Sequence, residues 1–524
     1  MNKKISVLTG VFITVVYLVI NLFLMKDYGL SWDFHYHHYA GLYHLGLPVP
    51  KITDPSPVPF SPPDPRLTVE DPFGPFTQIL PTLSYVIFYE KLKVLPMDSA
   101  YNLPGVIFGS LGIGLLYFFM LEAFNFPIAL FSAVFLALLP NYFGYLHTNM
   151  KDIPNAFVFT LAVYLFWRLV KNRRIKDLLL SVVSFAFAFN VKINSIIIPV
   201  VNLAWYISGI SIKPKYRVSK IIILYFLLAP ITALLLWWPF WRDPFNKLME
   251  LPYFYSHNTI NMPVLIAGKI YRSAVNIPWF YPYIFIVITT PLPILISFIT
   301  GLLISIKKIF SQNKTYILLI FWFLFPLLRY FSPNASAIDG IRHFMEVLYP
   351  LAAISGIGVY SLYLYLKKIR FPGIIVNTFL VSVLFLLIRN IVVFHPYQTS
   401  FFNSITGGIN GAYKNYDIDY WGTPQREAMY WLNKNSPVES IIYIAMAQSS
   451  AGMYLRPDLI KGLNTLNLYE SDYTVILNRQ SFFIFGDVDG YLKRTDKDLV
   501  FLKTINEVPL VWVFRNRKSA SPKT

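Results

Sequence analysis

Apolar residues in this chain come in long runs rather than in narrow stripes. The first, Ile5 to about Met25, is a little over the ~20 residues a membrane-spanning helix needs, and Lys3 and Lys4 precede it directly. Further runs lie at about 101–122, 127–143, 154–171, 177–191, 194–210, 219–238, 281–306, 315–331, 343–366 and 372–393. With the first they predict eleven spanning helices. No small-residue cleavage site follows Met25, so the first run is expected to be an uncleaved anchor.

One further segment, Pro75 to Pro96, is apolar but carries Glu90, Lys91 and Lys93. Counting it as a span would put the basic loops Lys171–Lys176, Lys213–Lys220, Lys307–Lys314 and Lys367–Arg370 outside the cytoplasm. Leaving it at the outer interface, as an amphipathic or re-entrant piece, puts all four inside, as the excess of Lys and Arg in cytoplasmic loops requires. The N-terminus is then cytoplasmic, the C-terminus outside, and the long outer loops are 28–100 and 239–280. Short outer loops fall at 144–153 and 331–342.

After His395 charged residues return and no run is long enough to span. The expected organisation is a transmembrane part, 1–395, followed by a small exterior α/β domain, 396–524. In that domain Thr423-Pro424 reads as the start of a helix through Asn433. Ser440–Ala445 and Tyr473–Asn478 read as strands. Leu499–Thr504 and Pro509–Arg515, parted by Ile505-Asn-Glu-Val508, read as a closing hairpin.

Composition agrees with the pattern: of 524 residues 55% are apolar, 18% aromatic and only 14% charged, which is beyond a soluble domain. The net charge of +18 gathers in short loops between apolar runs, so it implies no nucleic-acid partner. Cysteine is absent, which removes disulfides, thiolate metal ligands and a cysteine nucleophile.

The predicted topology puts all eight histidines, 35, 37, 38, 44, 147, 257, 343 and 395, on the outer side or at its edge. Four of them share the stretch Gly29–Gly46 with a single carboxylate, Asp33. If 33–45 is helical, a step of about 100° per residue brings Asp33, His37 and His44 within roughly 40° of one another. An interfacial aromatic belt with incidental histidines is the alternative. In His147-Thr-Asn-Met-Lys-Asp-Ile-Pro154, Lys151 and Asp152 stand at the mouth of the helix that Pro154 opens, where an Asp often serves as a cap. Lys192 lies in a very short outer turn between two spans and has no long loop to escape into, which suits an anionic partner. In Asp339-Gly-Ile-Arg-His-Phe344 the plain reading of Arg342 is a helix-end ion pair with Glu346.

These motifs, in this order, resemble the membrane-embedded GT-C glycosyltransferases. The similarity is to the dolichyl-phosphate-mannose protein mannosyltransferase (family 39) group and its bacterial relatives, such as the lipid A aminoarabinose transferases. Trp32-Asp33 matches an acidic motif of a long first outer loop, and Lys151-Asp152-Ile-Pro154 a second one. Phe73-Gly-Pro75, Asp339-Gly-x-Arg342-His343 and Asp419-Tyr-Trp-Gly422 are also similar to bacterial members. Many members carry Asp-Glu in the first motif; here the second position is Phe34, which leaves one carboxylate.

The resemblance implies inverting transfer of a sugar from a polyprenyl-phosphate carrier to an envelope acceptor (protein, lipid A or another glycan) at the outer face of the membrane. Asp33 then suits a general base. Lys192 and Arg342, with Lys151 and Arg242 behind them, suit the phosphate leaving group. Asp152 would orient the acceptor or share a metal, and His37, His147 and His343 would support the site. No cofactor is required by these residues; a divalent metal, if used, would draw on Asp33, His37 and Asp152. The rival is a transporter or flippase of a lipid-linked saccharide. Such proteins usually show repeated halves and ionisable groups near the bilayer midplane, and this sequence shows neither.

Overall fold

The computed structural model describes residues 3–50, 74–210, 219–238, 241, 243–246, 248–249, 261–332, 334–460, 463 and 468–517. Arg242, His257, Phe73 and the loop acids Asp54, Asp64, Glu70 and Asp71 lie outside the described residues.

Five helices are long and apolar enough to cross a membrane: Lys3–Asp27, Met97–Ala123, Asp152–Asn172, Arg342–Lys368 and Gly373–Val393. Five shorter apolar helices, Phe126–Ala137, Ile193–Gly209, Lys220–Leu236, Leu292–Lys307 and Thr315–Phe331, pack among them. The chain is thus a mostly helical, multi-pass membrane protein. Burial separates its centre from its rim. The most apolar stretch of Asp152–Asn172 is 83% buried and that of Arg342–Lys368 72%, against 17% for the first and last of the five. The two central helices carry Asp152 and Arg342 at their N-terminal ends.

Several of the expected spans are broken, and proline accounts for two of the breaks. The run 281–306 divides into Tyr281–Thr289 and Leu292–Lys307, with Thr290 extended ahead of Pro291. The run 127–143 divides into Phe126–Ala137 and Pro140–Tyr145. The helix expected from 343 opens as a 3-10 turn, Arg342–Val347, in which Phe344 leaves helical geometry (φ −134°, ψ 36°) before Leu348–Lys368 begins. Leu292–Lys307 and Leu348–Lys368 cross at glycines. A Cβ on Gly301 would stand 1.9 Å from the Ile354 carbonyl oxygen, and one on Gly358 1.9 Å from that of Ser297.

The segment after Pro75 forms a helix of only 10 residues, Phe76–Tyr85, and a wide turn, Val86–Lys91, too short together to span. It lies against the Phe34–His44 helix, where His44 Nε2 meets Gln78 Oε1 at 3.0 Å. At its start a Cβ on Gly74 would fall 1.8 Å from the Asn190 carbonyl oxygen, so only glycine lets this loop reach the turn that carries Lys192.

The loop 239–280, expected on the outer side, is not wholly irregular: Pro263–Ile266 (β1) and Lys269–Arg272 (β2) form an antiparallel hairpin. Toward the C-terminus, Ile442–Ile444 (β3), Tyr473–Leu477 (β4), Lys497–Ile505 (β5) and Val508–Asn516 (β6) make one sheet in the order β3-β4-β6-β5. β3 and β4 run parallel, the other pairs antiparallel. Asn506 and Glu507, both at positive φ (47° and 68°), close the β5–β6 hairpin as a primed turn does. The helix expected from Thr423-Pro424 is Gln425–Asn435, with Pro424 at the cap position and no side-chain cap bond from it. This sheet does not stand apart. Ile442, Ile444, Val475 and Val513 share an apolar cluster with Leu30, Phe34, Tyr85 and Tyr101, so the C-terminal part seats directly on the Asp33 stretch.

Candidate functional site

Asp33 precedes the Phe34–His44 helix, and its side chain makes no cap bond to that helix. Its neighbour is fixed by the Trp32 N–H, which donates to the Trp421 carbonyl at 2.9 Å. The carboxylate is therefore free to point across the loops, where Arg342 Nη1 reaches Oδ2 at 3.1 Å and Lys151 Nζ reaches it at 3.4 Å. About a third of this side chain remains exposed, whereas Arg342 is almost fully buried. Burial pushes the Asp33 carboxyl up, but Lys151, Arg342 and His37 outweigh it and hold the group well below the usual carboxylate range.

Asp152 is not a cap either. Asn149 takes that role, its Oδ1 accepting the N–H groups of Lys151 (3.1 Å) and Asp152 (2.7 Å). The Asp152 carboxylate is left to accept from Lys192 Nζ at 2.5 Å on one oxygen and from Asn149 Nδ2 at 2.8 Å on the other, with Arg342 Nε 3.8 Å away. Asn149 is a residue of the cluster that sequence reasoning missed. The signal was there, an Asn three positions before the helix start.

Arg342 sits among three carboxylates. Besides Asp33 and Asp152, Asp339 Oδ2 forms an ion pair with its Nη2 at 2.7 Å. Its guanidinium also lies 4.5 Å over the Trp421 ring, a contact worth up to about 2 kcal/mol when desolvated. The expected pair with Glu346 does not form. The 3-10 start turns Arg342 toward Asp33 and Asp339, and Glu346 is buried in the neighbourhood of Arg329 instead. Asp339 in turn accepts from Arg479 Nη2 at 2.7 Å, which brings in a residue just after strand β4 that the sequence did not suggest.

The histidines divide. His37 faces the cluster, Nε2 lying 3.2 Å from Lys151 Nζ, and burial followed by the charge of Lys151 pulls it down to about 3, so it is neutral. His343 Nε2 lies 3.2 Å from Arg342 Nη2. His44 turns away to Gln78 and Trp238, so the shared face expected for Asp33, His37 and His44 extends only to His37. His147 is not in the cluster: it stacks on Tyr28 at 3.9 Å and its Nδ1 meets the Phe143 carbonyl. The turn at Pro140–Tyr145 takes it toward the first helix.

Three carboxylates and four cations thus alternate within one cluster. Asp33 is separated from Asp152 by Lys151 and Arg342, and Lys151 stands between Asp33 and His37. Among the described residues no three metal-ligating side chains come together. A divalent cation would have to displace a lysine from its carboxylate, so these residues do not fit one. The arrangement favours an anion. The buried Nε–H groups of Arg342, Arg329 and Arg479 have no hydrogen-bond acceptor among the described residues.

Residues 91–238 match the family model described as dolichyl-phosphate-mannose-protein mannosyltransferase. The whole fold superposes on that of ArnT from Cupriavidus metallidurans in the apo state, with a TM-score of 0.53 and 12% identity over 96% of this chain and 97% of that one. The chain has a GT-C membrane glycosyltransferase fold. The resemblance read from Trp32-Asp33 and Lys151-Asp152-Ile-Pro154 is borne out at that level. Two further structures align with a TM-score of 0.49 each. They are the same ArnT bound to undecaprenyl phosphate (12% identity; 96% and 97% covered) and the Archaeoglobus fulgidus oligosaccharyltransferase in complex with Zn and sulfate (13%; 87% and 57%). Comparison with curated proteins by sequence finds no match.

Proposed function

We propose that this protein transfers a sugar, with inversion, from a polyprenyl-phosphate carrier to an envelope acceptor at the outer face of the cell membrane. The observation that carries the reading is the direct contact of one partly exposed carboxylate, Asp33, with the two cations Lys151 and Arg342 beside the Lys192–Asp152 pair. A base and an anion-binding group within one contact distance are what a direct displacement at a sugar phosphate needs. The family matched by residues 91–238 is named for a lipid-phosphate sugar donor, which supports the same donor class here.

The topology proposed with it has eleven spans, a cytoplasmic N-terminus and residues 396–524 outside. Helix directions support this. Asp33 follows the C-terminal end of the first helix, Asp152 starts its helix, Lys192 follows the end of Ile175–Val191 and Arg342 starts its own segment. Because the four are in contact, those four helix ends lie at one face of the bundle, opposite the basic ends at Lys171 and Lys367–Lys368.

In the proposed step the acceptor oxygen attacks the anomeric carbon, its proton passes to Asp33, and the bond from that carbon to the carrier phosphate breaks. The phosphate leaves with the electron pair, and Lys192, Arg342 and Lys151 hold its charge. A single displacement inverts the anomeric centre. The depressed pKa keeps Asp33 ionised but makes it a weak base while its cations face it. An anionic donor offsets the field of Lys151 and Arg342, so the proton affinity of Asp33 rises when the donor is in place. Base strength is thereby coupled to donor binding.

The test is incubation of the purified protein in lipid nanodiscs with a panel of undecaprenyl-phosphate-linked sugars and periplasmic glycan acceptors. Release of undecaprenyl phosphate from one donor is expected. In sealed vesicles, passage of an intact lipid-linked sugar across the bilayer without release would overturn the reading in favour of a flippase.

A further inference from the structure

In the ion pairs around Arg342, each cation that precedes the C-terminal part meets a carboxylate. Lys151, Lys192 and Arg342 face Asp33, Asp152 and Asp339, and His37 is neutral. Asp339 in particular offsets the charge of Arg342 that a phosphate would otherwise meet.

The compensation comes from the far end of the chain. Arg479, 140 positions beyond Asp339, follows strand β4 and is 4% exposed. Its Nη2 donates to Asp339 Oδ1 at 2.7 Å while Arg342 holds the other oxygen at 2.7 Å, so one carboxylate bridges two guanidinium groups. The C-terminal segment builds a seat for it. The guanidinium lies 3.9 Å over Phe482 and 5.3 Å over Trp32, and its Nη1 donates to the Tyr420 carbonyl at 3.3 Å. The segment carrying Tyr420 is itself pinned, since Asp417 accepts the Ser481 N–H (2.8 Å) and Asp419 accepts those of Trp421 and Gly422 (2.8 and 2.7 Å). Trp421 of that same segment is the ring beneath Arg342.

Resting on the proposed polyprenyl-phosphate function, we infer that Arg479 is a positioning residue for the carrier phosphate, acting through Asp339. By sharing Asp339 it takes up part of the carboxylate charge that would otherwise offset Arg342. Asp339 adopts a positive φ of 56°, and Gly340 follows at 63°. The bridging carboxylate is thus held in a conformation that Asp and Asn tolerate better than most residues.

A charge role and a merely structural role part company in one rescue. Binding of undecaprenyl phosphate to the full-length protein in nanodiscs is measured for wild type, Arg479→Ala, Arg479→Lys, Asp339→Asn and the Arg479→Ala/Asp339→Asn double variant. Arg479→Ala should weaken binding about 10-fold and Arg479→Lys should recover most of it. In the double variant, removing the carboxylate that Arg479 no longer offsets should restore affinity to within about 3-fold of wild type. Asn accepts the positive φ, so the double variant keeps the turn. Failure of the double variant to recover, with wild type binding, would overturn the role of Arg479 and leave the proposed function standing. Absence of binding by wild type would overturn both.

Discussion

Lys192 and Asp152, 40 positions apart, form a short ion pair of 2.5 Å at the buried end of the most buried spanning helix. Asp152 is 1% exposed, and its other cation, Arg342 Nε, is 3.8 Å away. Lys192→Ala therefore removes the nearest cation of a buried carboxylate, a loss of up to about 3–5 kcal/mol. Thermal unfolding of the variant in detergent should show a clearly lower midpoint. Adding Asp152→Asn should recover part of that stability without restoring transfer. An unchanged midpoint for Lys192→Ala would mean that the pair carries no stabilising role.

Arg342 uses its fork on Asp33 and Asp339 and its face on Trp421, and an ammonium cannot do all three. Arg342→Lys should lower the transfer rate by roughly 30- to 1000-fold, the equivalent of about 2–4 kcal/mol of transition-state stabilisation. Full activity in steady-state assays would show that a point charge suffices there.

Acid should unfold the end of the molecule that holds the buried histidines first. Burial pulls His37, His38 and His147 down to about 3 and His35 to about 4, while unfolded histidine binds a proton near 6.5. Between those values the unfolded chain holds more protons than the folded one. Stability therefore falls as pH falls, by up to about 1.4 kcal/mol per pH unit for each histidine. The unfolding midpoint should drop from pH 7.5 to pH 5, and His38→Gln should reduce the drop. A midpoint independent of pH over that range would contradict these burial assignments.

Orientation is testable by fusion. A reporter active only outside the cytoplasm, fused after Arg515, should be active. Activity of a cytoplasm-only reporter at the same position would break the eleven-span topology and move the cluster to the inner face.

What the sequence made legible was set by range. Apolar runs show in the local pattern, so the apolar helices and the closing hairpin at Ile505–Val508 could be read. The breaks at Pro140 and Pro291 needed the weight that proline carries against helix continuity. Asp33, Asp152, Lys192 and Arg342 stood out because ionisable residues at the ends of apolar runs are conspicuous. Their partners did not stand out in the same way. Asp339 lies three residues from Arg342, yet a helical reading paired that arginine with Glu346. The 3-10 start, with Phe344 off helical geometry, is a packing outcome no periodicity announces. Arg479 and Trp421 reach the cluster across 140 and more than 70 positions, through a sheet whose seat on Phe34 and Tyr101 depends on tertiary packing alone.

The central claim is that Asp33 is the base and that the cations around it serve the carrier phosphate. Asp33→Asn is the most direct test, because it keeps the side-chain shape and removes the basicity. Sugar transfer by the purified variant should fall about 10²–10⁴-fold, with undecaprenyl phosphate still bound and the unfolding midpoint close to that of wild type. Wild-type turnover by Asp33→Asn would contradict the account.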